Sequence, residues 1–442
     1  MSHTASLALV VLRIAILFLL LPHAVDWRSP GLASARSWAL AVLIALPLGL
    51  IVAEIWTLRR SFSAPRMIRA MSGMVLALAW LCLISVLALE TRFHWVRHQV
   101  MHADAAQLER LGRHLIVGYR NAAELKALID RRAIAGVFLA TRNVEGNDVA
   151  AIKRSIAALQ DIRRRQGLPA LLVATDQEGG GVSRLSPPLT RLPPISEVVA
   201  AQTDSGRRRK AVANYAATQG RELADLGVNL NFAPVVDLKP GVVNANDRMT
   251  RIAERAISND PRIVIEVAET YCAALLETGV RCTLKHFPGL GRVFEDTHQG
   301  GAELASPAAE LAVTDWLPFR ALMQQDNVLV MLSHVRLTRI DSAHPVSFSR
   351  AVIAGLLRRD WNHDGVLITD DFTMGAVDQS PEGIAGASIE ALNAGADLIL
   401  VSFDIEQYYV IMHALMVADR EGRLLQDMLQ QSDRRLDRLL GR

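Results

Sequence analysis

The chain has 442 residues, a formal net charge of +3 and three cysteines. So small an excess of positive charge argues against a nucleic-acid partner, because most arginines are interspersed with acids as on a solvated surface. The densest basic run, Arg207–Lys210, is interpreted as the exposed start of a helix, with an acidic-ligand site as the alternative. The length fits one α/β barrel of about 250 to 400 residues plus an accessory region.

The cysteines do not indicate a disulfide framework. Cys82 lies in an apolar run, whereas Cys272 and Cys282 are predicted on a helix and on a strand, where their side chains need not meet. The sequence therefore permits an oxidising compartment without requiring one.

The first hundred residues contain three apolar runs, Leu7–Val25, Trp38–Trp56 and Met71–Leu89. Each has about the length of a helix that crosses a bilayer, roughly 20 residues. A signal peptide followed by two buried core helices is the alternative, but the near absence of charge in the runs argues against it. We therefore predict that residues 1–100 form a membrane region of about three transmembrane helices in contact with the lipid bilayer.

The loops between these runs indicate their orientation, because Lys and Arg concentrate on the cytoplasmic side of a membrane. The first loop contains Arg28 and Arg36. The second loop is richer in arginine and contains Arg59, Arg60, Arg66 and Arg69. The second loop is therefore predicted to be cytoplasmic, which places the chain after Arg92 outside the cytoplasm. Cleavage of the first run at Pro22–Ala24, a poor signal-peptidase site, would leave this placement unchanged.

After a connector predicted from Thr91 to about Gln107, short apolar runs alternate with amphipathic stretches. Eight runs are strand candidates: His114–Tyr119, Gly136–Thr141, Ala170–Asp176, Asn229–Asp237, Arg281–Phe287, Val328–His334, Gly365–Asp371 and Ala396–Ser402. The stretches long enough to return a parallel strand across the sheet are Val149–Arg165, Arg208–Leu226, Arg262–Thr278, Pro307–Gln325 and Glu382–Ala394. We predict an α/β fold, a (β/α)8 TIM-type barrel over residues 101–442 with a helical tail from Glu406, preceded by the α-helical transmembrane region. A doubly wound open sheet is the alternative.

Polar chemistry is concentrated at the end of the fifth strand candidate and in the loop after it. Lys285–Gly291 reads KHFPGLG, and Asp296–His298 reads DTH. A cation, two imidazoles and a carboxylate therefore lie at or just after the carboxyl end of one strand, where parallel barrels hold their active sites.

From about Leu108 onward the chain resembles glycoside hydrolase family 3, in its β-N-acetylhexosaminidase branch. That branch has a Lys-His-Phe-Pro-Gly-His-Gly motif followed by Asp-x-His, which Lys285–His298 resembles. Four more motifs follow the family's order: Asp176–Gly180, Asn229–Asp237, Glu254–Ala256 and Ile368–Met374.

The resemblance implies a retaining exo-β-N-acetylhexosaminidase that hydrolyses terminal β-linked N-acetylglucosamine. With Asp370 as nucleophile, His298 would be the acid and base, oriented by Asp296. The residues implied to bind the sugar are Asp176, Arg184, Arg255, Lys285 and His286. Together with the apolar runs, the resemblance implies a multi-pass protein of a bacterial inner membrane acting on peptidoglycan or its fragments from the periplasmic side. No cofactor or metal is expected, since the histidines lack ligand spacing.

The residue types suit this chemistry. A strand-end carboxylate such as Asp370 can attack an anomeric carbon and hold the sugar covalently, whereas the adjacent Asp371 better fits a structural capping role. Imidazole exchanges protons near neutral pH, so a histidine can replace the usual second carboxylic acid. His334 also ends a strand candidate, but no role is assigned to it.

The chain departs from the family pattern at two positions. Gly181 stands where the family usually has Arg, and Leu290 stands where it usually has His. These changes keep open the alternative of a membrane-anchored sugar-binding protein with weak catalysis. A β-glucosidase-type member of the family is the second alternative, although such enzymes generally lack the Asp296-x-His298 pair. The aglycone, the oligomeric state and the choice between water and phosphate as glycosyl acceptor are also left open.

Overall fold

The computed structural model describes residues 3–60, 65–146, 148–239, 241 and 249–441. Contacts between Cα atoms divide the chain into two compact units, Met1–His102 and Ala103–Arg442. Each unit is described by itself.

The amino-terminal unit consists of helices α1 (His3–Val25), α2 (Arg36–Arg60) and α3 (Arg66–Met101). Each predicted apolar run lies within one of them. Within the described residues, these three helices are long and apolar enough to cross a membrane. The connector predicted from Thr91 was wrong over most of its length, because α3 continues to Met101 and residues 91–101 contain no Gly or Pro that would end it.

Eight of the described strands form one parallel sheet, and each lies within a predicted run. They are β1 (Leu115–Gly118), β2 (Gly136–Leu139), β3 (Leu172–Thr175), β4 (Leu230–Asn231), β5 (Cys282–Phe287), β6 (Val328–Leu332), β7 (Leu367–Asp371) and β8 (Leu398–Val401). Nearly every strand residue is buried, as expected for a sheet covered on both faces.

The order of the strands in the sheet is β4-β3-β2-β1-β8-β7-β6-β5. The two outer strands are joined by isolated parallel bridges, Leu230 to Arg281 and Val235 to Lys285. The sheet is therefore a nearly closed barrel of the TIM type, and the predicted barrel is confirmed over the open alternative. Its interior is filled by strand side chains, among which Phe138 and Phe232 stack with ring centroids 5.8 Å apart.

The remaining helices connect and follow the strands. They are α4 (Ala105–Gly112), α5 (Ala122–Asp130), α6 (Thr141–Val144), α7 (Val149–Arg165), α8 (Ile195–Ala200), α9 (Ser205–Leu226), α10 (Ile252–Arg255), α11 (Pro261–Leu276), α12 (Ala308–Ala312), α13 (Leu317–Leu322), a π-helix (Ala351–Asp360), α14 (Gly375–Asp378), α15 (Gly383–Ala394), α16 (Glu406–Arg420) and α17 (Gln426–Leu440). The single helix predicted over Pro307–Gln325 was wrong: Pro318 stands at the start of α13, where it cannot continue a preceding helix. The basic run Arg207–Lys210 lies in the first turns of α9, as predicted.

The sequence left open whether the side chains of Cys272 and Cys282 meet, and in the structure they do. The two form a disulfide, with Cα atoms 5.4 Å apart. They are only ten positions apart, on the last turns of α11 and the first residue of β5, and the tight turn after Leu276 brings these two ends together. The disulfide depends on the directions of the two cysteine side chains, which the ten-residue separation in the sequence does not determine.

Charged groups are buried at the amino ends of β7 and β8. Asp397 accepts hydrogen bonds from the Leu367 N–H (2.8 Å), from Arg358 Nη2 (2.7 Å) and from Arg435 Nε (2.9 Å). His363 lies beside this network and is 1% exposed. Neither of its ring nitrogens has a hydrogen-bond partner among the described residues.

Candidate active site

Asp296 and His298 lie on the loop after β5 and are paired, with His298 Nδ1 2.8 Å from Asp296 Oδ1. That oxygen also accepts hydrogen bonds from the main-chain N–H of His298 and from the Thr250 hydroxyl, both at 3.0 Å. The other oxygen, Oδ2, accepts a hydrogen bond from the Met249 N–H at 3.2 Å. Burial alone would raise the pKa of Asp296, but the hydrogen bonds from His298 and Thr250 lower it to about 2. The ionised carboxylate therefore keeps a proton on Nδ1 of His298 and leaves Nε2 for other partners.

Asp370 is near the carboxyl end of β7, and its side chain is partly exposed. Its Oδ1 accepts the N–H of Asp371 over 2.8 Å. Burial alone would raise the pKa of Asp370, but three neighbouring imidazoles and this N–H lower it. The imidazoles are those of His286, His334 and His298. Asp370 is thus ionised at neutral pH, the state in which a carboxylate is nucleophilic.

Lys285 and Arg255 are joined through one carboxylate, that of Glu178. Nζ of Lys285 lies 2.7 Å from Asp176 Oδ1 and 2.6 Å from Glu178 Oε1. Arg255 donates to Glu178 from Nε (2.9 Å) and from Nη2 (2.7 Å). Although burial opposes its ionisation, the two cations hold the pKa of Glu178 well below its usual range. Three predicted sugar-binding residues, Asp176, Arg255 and Lys285, therefore meet at one place.

His286 is the fourth member of this group. Its Nε2 lies 3.2 Å from Arg255 Nη2, and its Nδ1 lies 2.7 Å from Asp237 Oδ2. Because a guanidinium only donates, Nε2 accepts and Nδ1 donates to Asp237. Asp237 thereby fixes the orientation of the His286 ring.

Arg184, the fifth predicted sugar-binding residue, is placed differently. Its main-chain N–H donates to the Asp176 carbonyl oxygen at a distance of 3.1 Å, so its backbone lies beside the group. Its side chain is exposed and makes no hydrogen bond with the described residues. The structure brings this residue to the site without fixing its guanidinium.

Sequence reasoning missed Glu178, Asp237 and Thr250 as parts of the site. A signal existed for the first two, because both acids belong to motifs quoted for the resemblance and two buried cations require partners. No such signal existed for Thr250, which reaches Asp296 from a loop far along the chain.

His334 supports the end of β7 that carries Asp370, and Gly375 supports the loop that carries His298. Nε2 of His334 donates to the Asp371 carbonyl oxygen (3.0 Å), so Nδ1 accepts from the Ser347 hydroxyl (2.7 Å). The Gly375 N–H donates to the His298 carbonyl oxygen over 3.0 Å. A side chain at Gly375 would place Cβ 2.8 Å from that oxygen, so only glycine allows this approach.

The described residues contain no group of three or more His, Cys, Asp or Glu side chains placed to hold a metal ion. The carboxylates near the site are instead matched to cations or imidazoles. The pairs are Asp176 and Glu178 with Lys285, Asp237 with His286, and Asp296 with His298.

Comparison with known proteins identifies the family of this site. The family model for the glycosyl hydrolase family 3 N terminal domain matches residues 101–439. The chain belongs to glycoside hydrolase family 3. The resemblance predicted from its motifs is confirmed, and the protein is a glycoside hydrolase.

Similar family 3 proteins come from several bacteria. A β-hexosaminidase of Methylococcus capsulatus is 31% identical over 300 residues, 68% of this chain and 85% of that protein. The β-hexosaminidase LpqI of Mycobacterium tuberculosis is 33% identical over 297 residues, 66% of this chain and 72% of that protein.

Solved family 3 structures share the fold. A β-N-acetylhexosaminidase of Beutenbergia cavernae superimposes with a TM-score of 0.68 at 29% identity, over 77% of this chain and 100% of that one. A β-N-acetylglucosaminidase of Paenibacillus also gives 0.68 at 29% identity, over 75% of this chain, but the match spans only 61% of that protein.

The two departures from the family 3 pattern differ in their surroundings. Gly181 is exposed, and a Cβ built on it would have Arg251 Nη1 as its nearest neighbour at 3.8 Å, so a larger side chain has room there. Leu290 is 5% exposed, and its N–H donates to Asp237 Oδ1 over 2.8 Å. The backbone of Leu290 thus still supports the carboxylate that orients His286.

Proposed function

We propose that the carboxy-terminal unit is a retaining exo-β-N-acetylhexosaminidase that removes terminal β-linked N-acetylglucosamine. The names of the similar family 3 proteins support the activity. The pairing of His298 with an ionised Asp296, close to an ionised Asp370, supports the mechanism and is the observation that carries the proposal. Retaining hydrolysis needs one nucleophile and one group that gives and then takes a proton.

In the proposed reaction, an Asp370 oxygen bonds to the anomeric carbon while the bond to the leaving oxygen breaks. Nε2 of His298 gives that oxygen its proton, and Asp296 stabilises the imidazolium that is present before the transfer. A water molecule then attacks the anomeric carbon, His298 takes its proton, and the Asp370 carboxylate is released. Asp176, Arg184, Arg255, Lys285 and His286 would bind the sugar hydroxyl groups, because charged groups form stronger hydrogen bonds than neutral ones.

The substrate assignment is tested by kcat/KM of the full chain in detergent on an aryl β-N-acetylglucosaminide and on the matching aryl β-glucoside. We expect a clear preference for the first. A preference for the glucoside would contradict the assignment and favour a β-glucosidase-type enzyme.

The nucleophile is tested separately with Asp370→Asn, which removes the attacking carboxylate. A 5-fluoro glycoside should label the unchanged protein at Asp370, as seen by peptide mass spectrometry. The control is Asp161→Asn on the outer helix α7, which should label normally. Label on another residue, or substantial turnover by Asp370→Asn, would exclude this role.

We further propose that residues 1–100 span a membrane and that residues 101–442 form the catalytic domain. The distribution of side chains in the amino-terminal unit supports this. Arg13 and Glu54 are 8% and 1% exposed and form an ion pair, whereas Leu19, Val52 and Trp56 are 73%, 67% and 55% exposed. Apolar groups outside and paired charges inside suit a lipid environment.

The Cys272–Cys282 disulfide supports an extracytoplasmic catalytic domain, because disulfides persist in oxidising compartments. Peptidoglycan or its fragments would then be the accessible glycosides. A carboxy-terminal alkaline phosphatase fusion should be active and a green fluorescent protein fusion dark. The opposite pattern would place the domain in the cytoplasm. In the cell, Cys272 and Cys282 should react with an alkylating agent only after reduction, because the disulfide protects them. Alkylation of these two thiols before reduction would contradict the placement.

A further inference from the structure

Asn231 binds the backbone of the segment that carries two carboxylates of the site. It is the last residue of β4 and is fully buried. Its Oδ1 accepts a hydrogen bond from the Gln177 N–H at 2.9 Å, and its Nδ2 donates to the Gln177 carbonyl oxygen, also at 2.9 Å. One amide side chain therefore pairs with both backbone polar groups of a single residue, which lies between Asp176 and Glu178 in the chain.

This Asn231–Gln177 pairing holds in place the two side chains that contact Lys285. Strand residues lie on both sides of Asp176, and alternate side chains of an extended chain point to the same side. Asp176 and Glu178 accordingly both contact the Lys285 ammonium, at 2.7 and 2.6 Å. A shift of the backbone at Gln177 would move both carboxylates relative to that ammonium.

A tyrosine and a glutamine fix the direction in which the Asn231 amide faces. Its Nδ2 also donates to the Tyr271 hydroxyl oxygen at 3.0 Å, and that hydroxyl donates to Gln219 Oε1. Because the phenol proton is used by Gln219, the Tyr271 oxygen accepts, so the NH2 group of Asn231 faces it. Burial raises the pKa of Tyr271 well above its ordinary value, which keeps this proton on the hydroxyl. The carbonyl oxygen of Asn231 is thereby directed at the Gln177 N–H.

Asn229, two residues earlier, makes the same kind of pairing away from the site. Its Oδ1 accepts from the Val173 N–H at 2.8 Å, and its Nδ2 donates to the Leu171 carbonyl oxygen at 2.9 Å. These bonds fasten the amino end of β3, the end opposite to the one that Asp176 follows. The two asparagines therefore offer a comparison between support of the barrel and support of the site.

We propose that Asn231 is a positioning residue of the reaction, which acts through the Gln177 backbone to set Asp176 and Glu178 against Lys285, with Tyr271 holding the amide in the required direction. The proposal rests on the proposed function for the role of Asp176 in binding the sugar. An ionised carboxylate in place of the amide would break the pairing, because it only accepts and would face the Gln177 carbonyl oxygen.

Asn231→Asp tests this with almost no change in side-chain size. At about pH 8 its kcat/KM on the aryl β-N-acetylglucosaminide should be at least about tenfold below that of the unchanged protein, chiefly through KM, because small displacements in a site are costly. At about pH 5.5 the introduced carboxyl should be protonated, since burial raises its pKa. Its O–H can then donate to the Gln177 carbonyl oxygen as the amide does. The ratio of variant to unchanged kcat/KM should therefore return towards one as the pH falls.

Asn229→Asp is the matched control and should show no such dependence of the ratio on pH. Tyr271→Phe leaves both bonds between Asn231 and Gln177 in place and should lower kcat/KM less than Asn231→Asp does at about pH 8. A ratio for Asn231→Asp that is the same at both pH values, or an equal response in Asn229→Asp, would overturn the proposal.

Hydrogen–deuterium exchange of the full chain in detergent tests the pairing without a substrate. Asn231→Ala should speed exchange in peptides that contain Gln177, because that N–H loses its acceptor, whereas Asn229→Ala should speed exchange at Val173 instead. If the unchanged protein cleaves no glycoside, the proposed function fails, and the exchange result still decides whether Asn231 holds this segment. Exchange at Gln177 that is unaltered in Asn231→Ala would reject the positioning role independently of catalysis.

Discussion

Thr250 donates its hydroxyl to Oδ1 of Asp296 over 3.0 Å, and its own carbonyl oxygen accepts a 2.7 Å hydrogen bond from Arg255 Nη1. One residue therefore links the Arg255–Glu178–Lys285 group to the carboxylate that orients His298. On the proposed function, a shift of Arg255 when the sugar binds would reach the His298–Asp296 pair through Thr250.

Thr250→Val should lower kcat about tenfold, because a hydrogen bond to a charged group is lost. Thr250→Ser keeps the hydroxyl and should stay close to the unchanged protein. The loss in the Val variant should be greater for poor leaving groups, as expected of a residue that acts through His298. The control is Thr218→Val on the outer helix α9. If Thr250→Val and Thr250→Ser lower kcat equally, the hydroxyl of Thr250 is not needed for activity and the residue has only a structural role.

His298→Ala should slow turnover most for glycosides with poor leaving groups, because a general acid matters in proportion to the basicity of the departing oxygen. Activated aryl glycosides should lose less. Asp296→Ala should act in the same direction more weakly, and the double variant should resemble His298→Ala alone if the two work as a unit. Additive losses that do not depend on the leaving group would show that His298 does not transfer the proton.

Gly375→Ala should lower activity at least about tenfold, because small displacements of a catalytic group are costly. The added methyl would lie 2.7 Å from the Gln299 backbone and force the His298 loop away from Asp370. Gly355→Ala is the matched control, since the nearest atom to its added methyl is 3.7 Å away. A normal kcat/KM in Gly375→Ala would mean that activity does not require the close approach of the His298 loop to residue 375.

His363 should make stability depend on pH. Burial, followed by the charge of Arg358, lowers its pKa to about 3, so the folded protein keeps it neutral when the unfolded chain would protonate it. Because the unfolded state then binds more protons, stability falls as pH drops from about 6.5 towards 3, by on the order of 5 kcal/mol at most.

The midpoint of thermal unfolding should therefore fall less between pH 7 and pH 4 in His363→Leu than in the unchanged protein. His344→Leu removes a partly exposed histidine and should leave that dependence in place. A pH dependence that is identical with and without His363 would contradict the assignment.

The motifs and apolar runs predicted the barrel, because each strand is a continuous apolar segment. The lengths of these segments and their spacing along the chain indicate eight parallel strands. They also placed Asp296 beside His298, since a two-residue spacing on a loop keeps both side chains together. They did not predict Thr250 or the disulfide, because both depend on the direction of side chains from separate segments. The region Pro307–Gln325 forms two helices where one was predicted, because Pro318 starts a new helix. The apolar pattern runs through this proline and so gave no sign of the break.

If the first hundred residues span a membrane, as proposed, the pair of Arg13 and Glu54 constrains how they enter the bilayer. Each side chain alone would oppose insertion of its helix by about 3 kcal/mol, and the two neutralise each other only when α1 and α2 lie side by side. The two helices should therefore be integrated as a hairpin, not one after the other. On that proposal, α1 cannot be exchanged for a generic apolar helix, because the exchange would leave Glu54 in the membrane without its counter-charge.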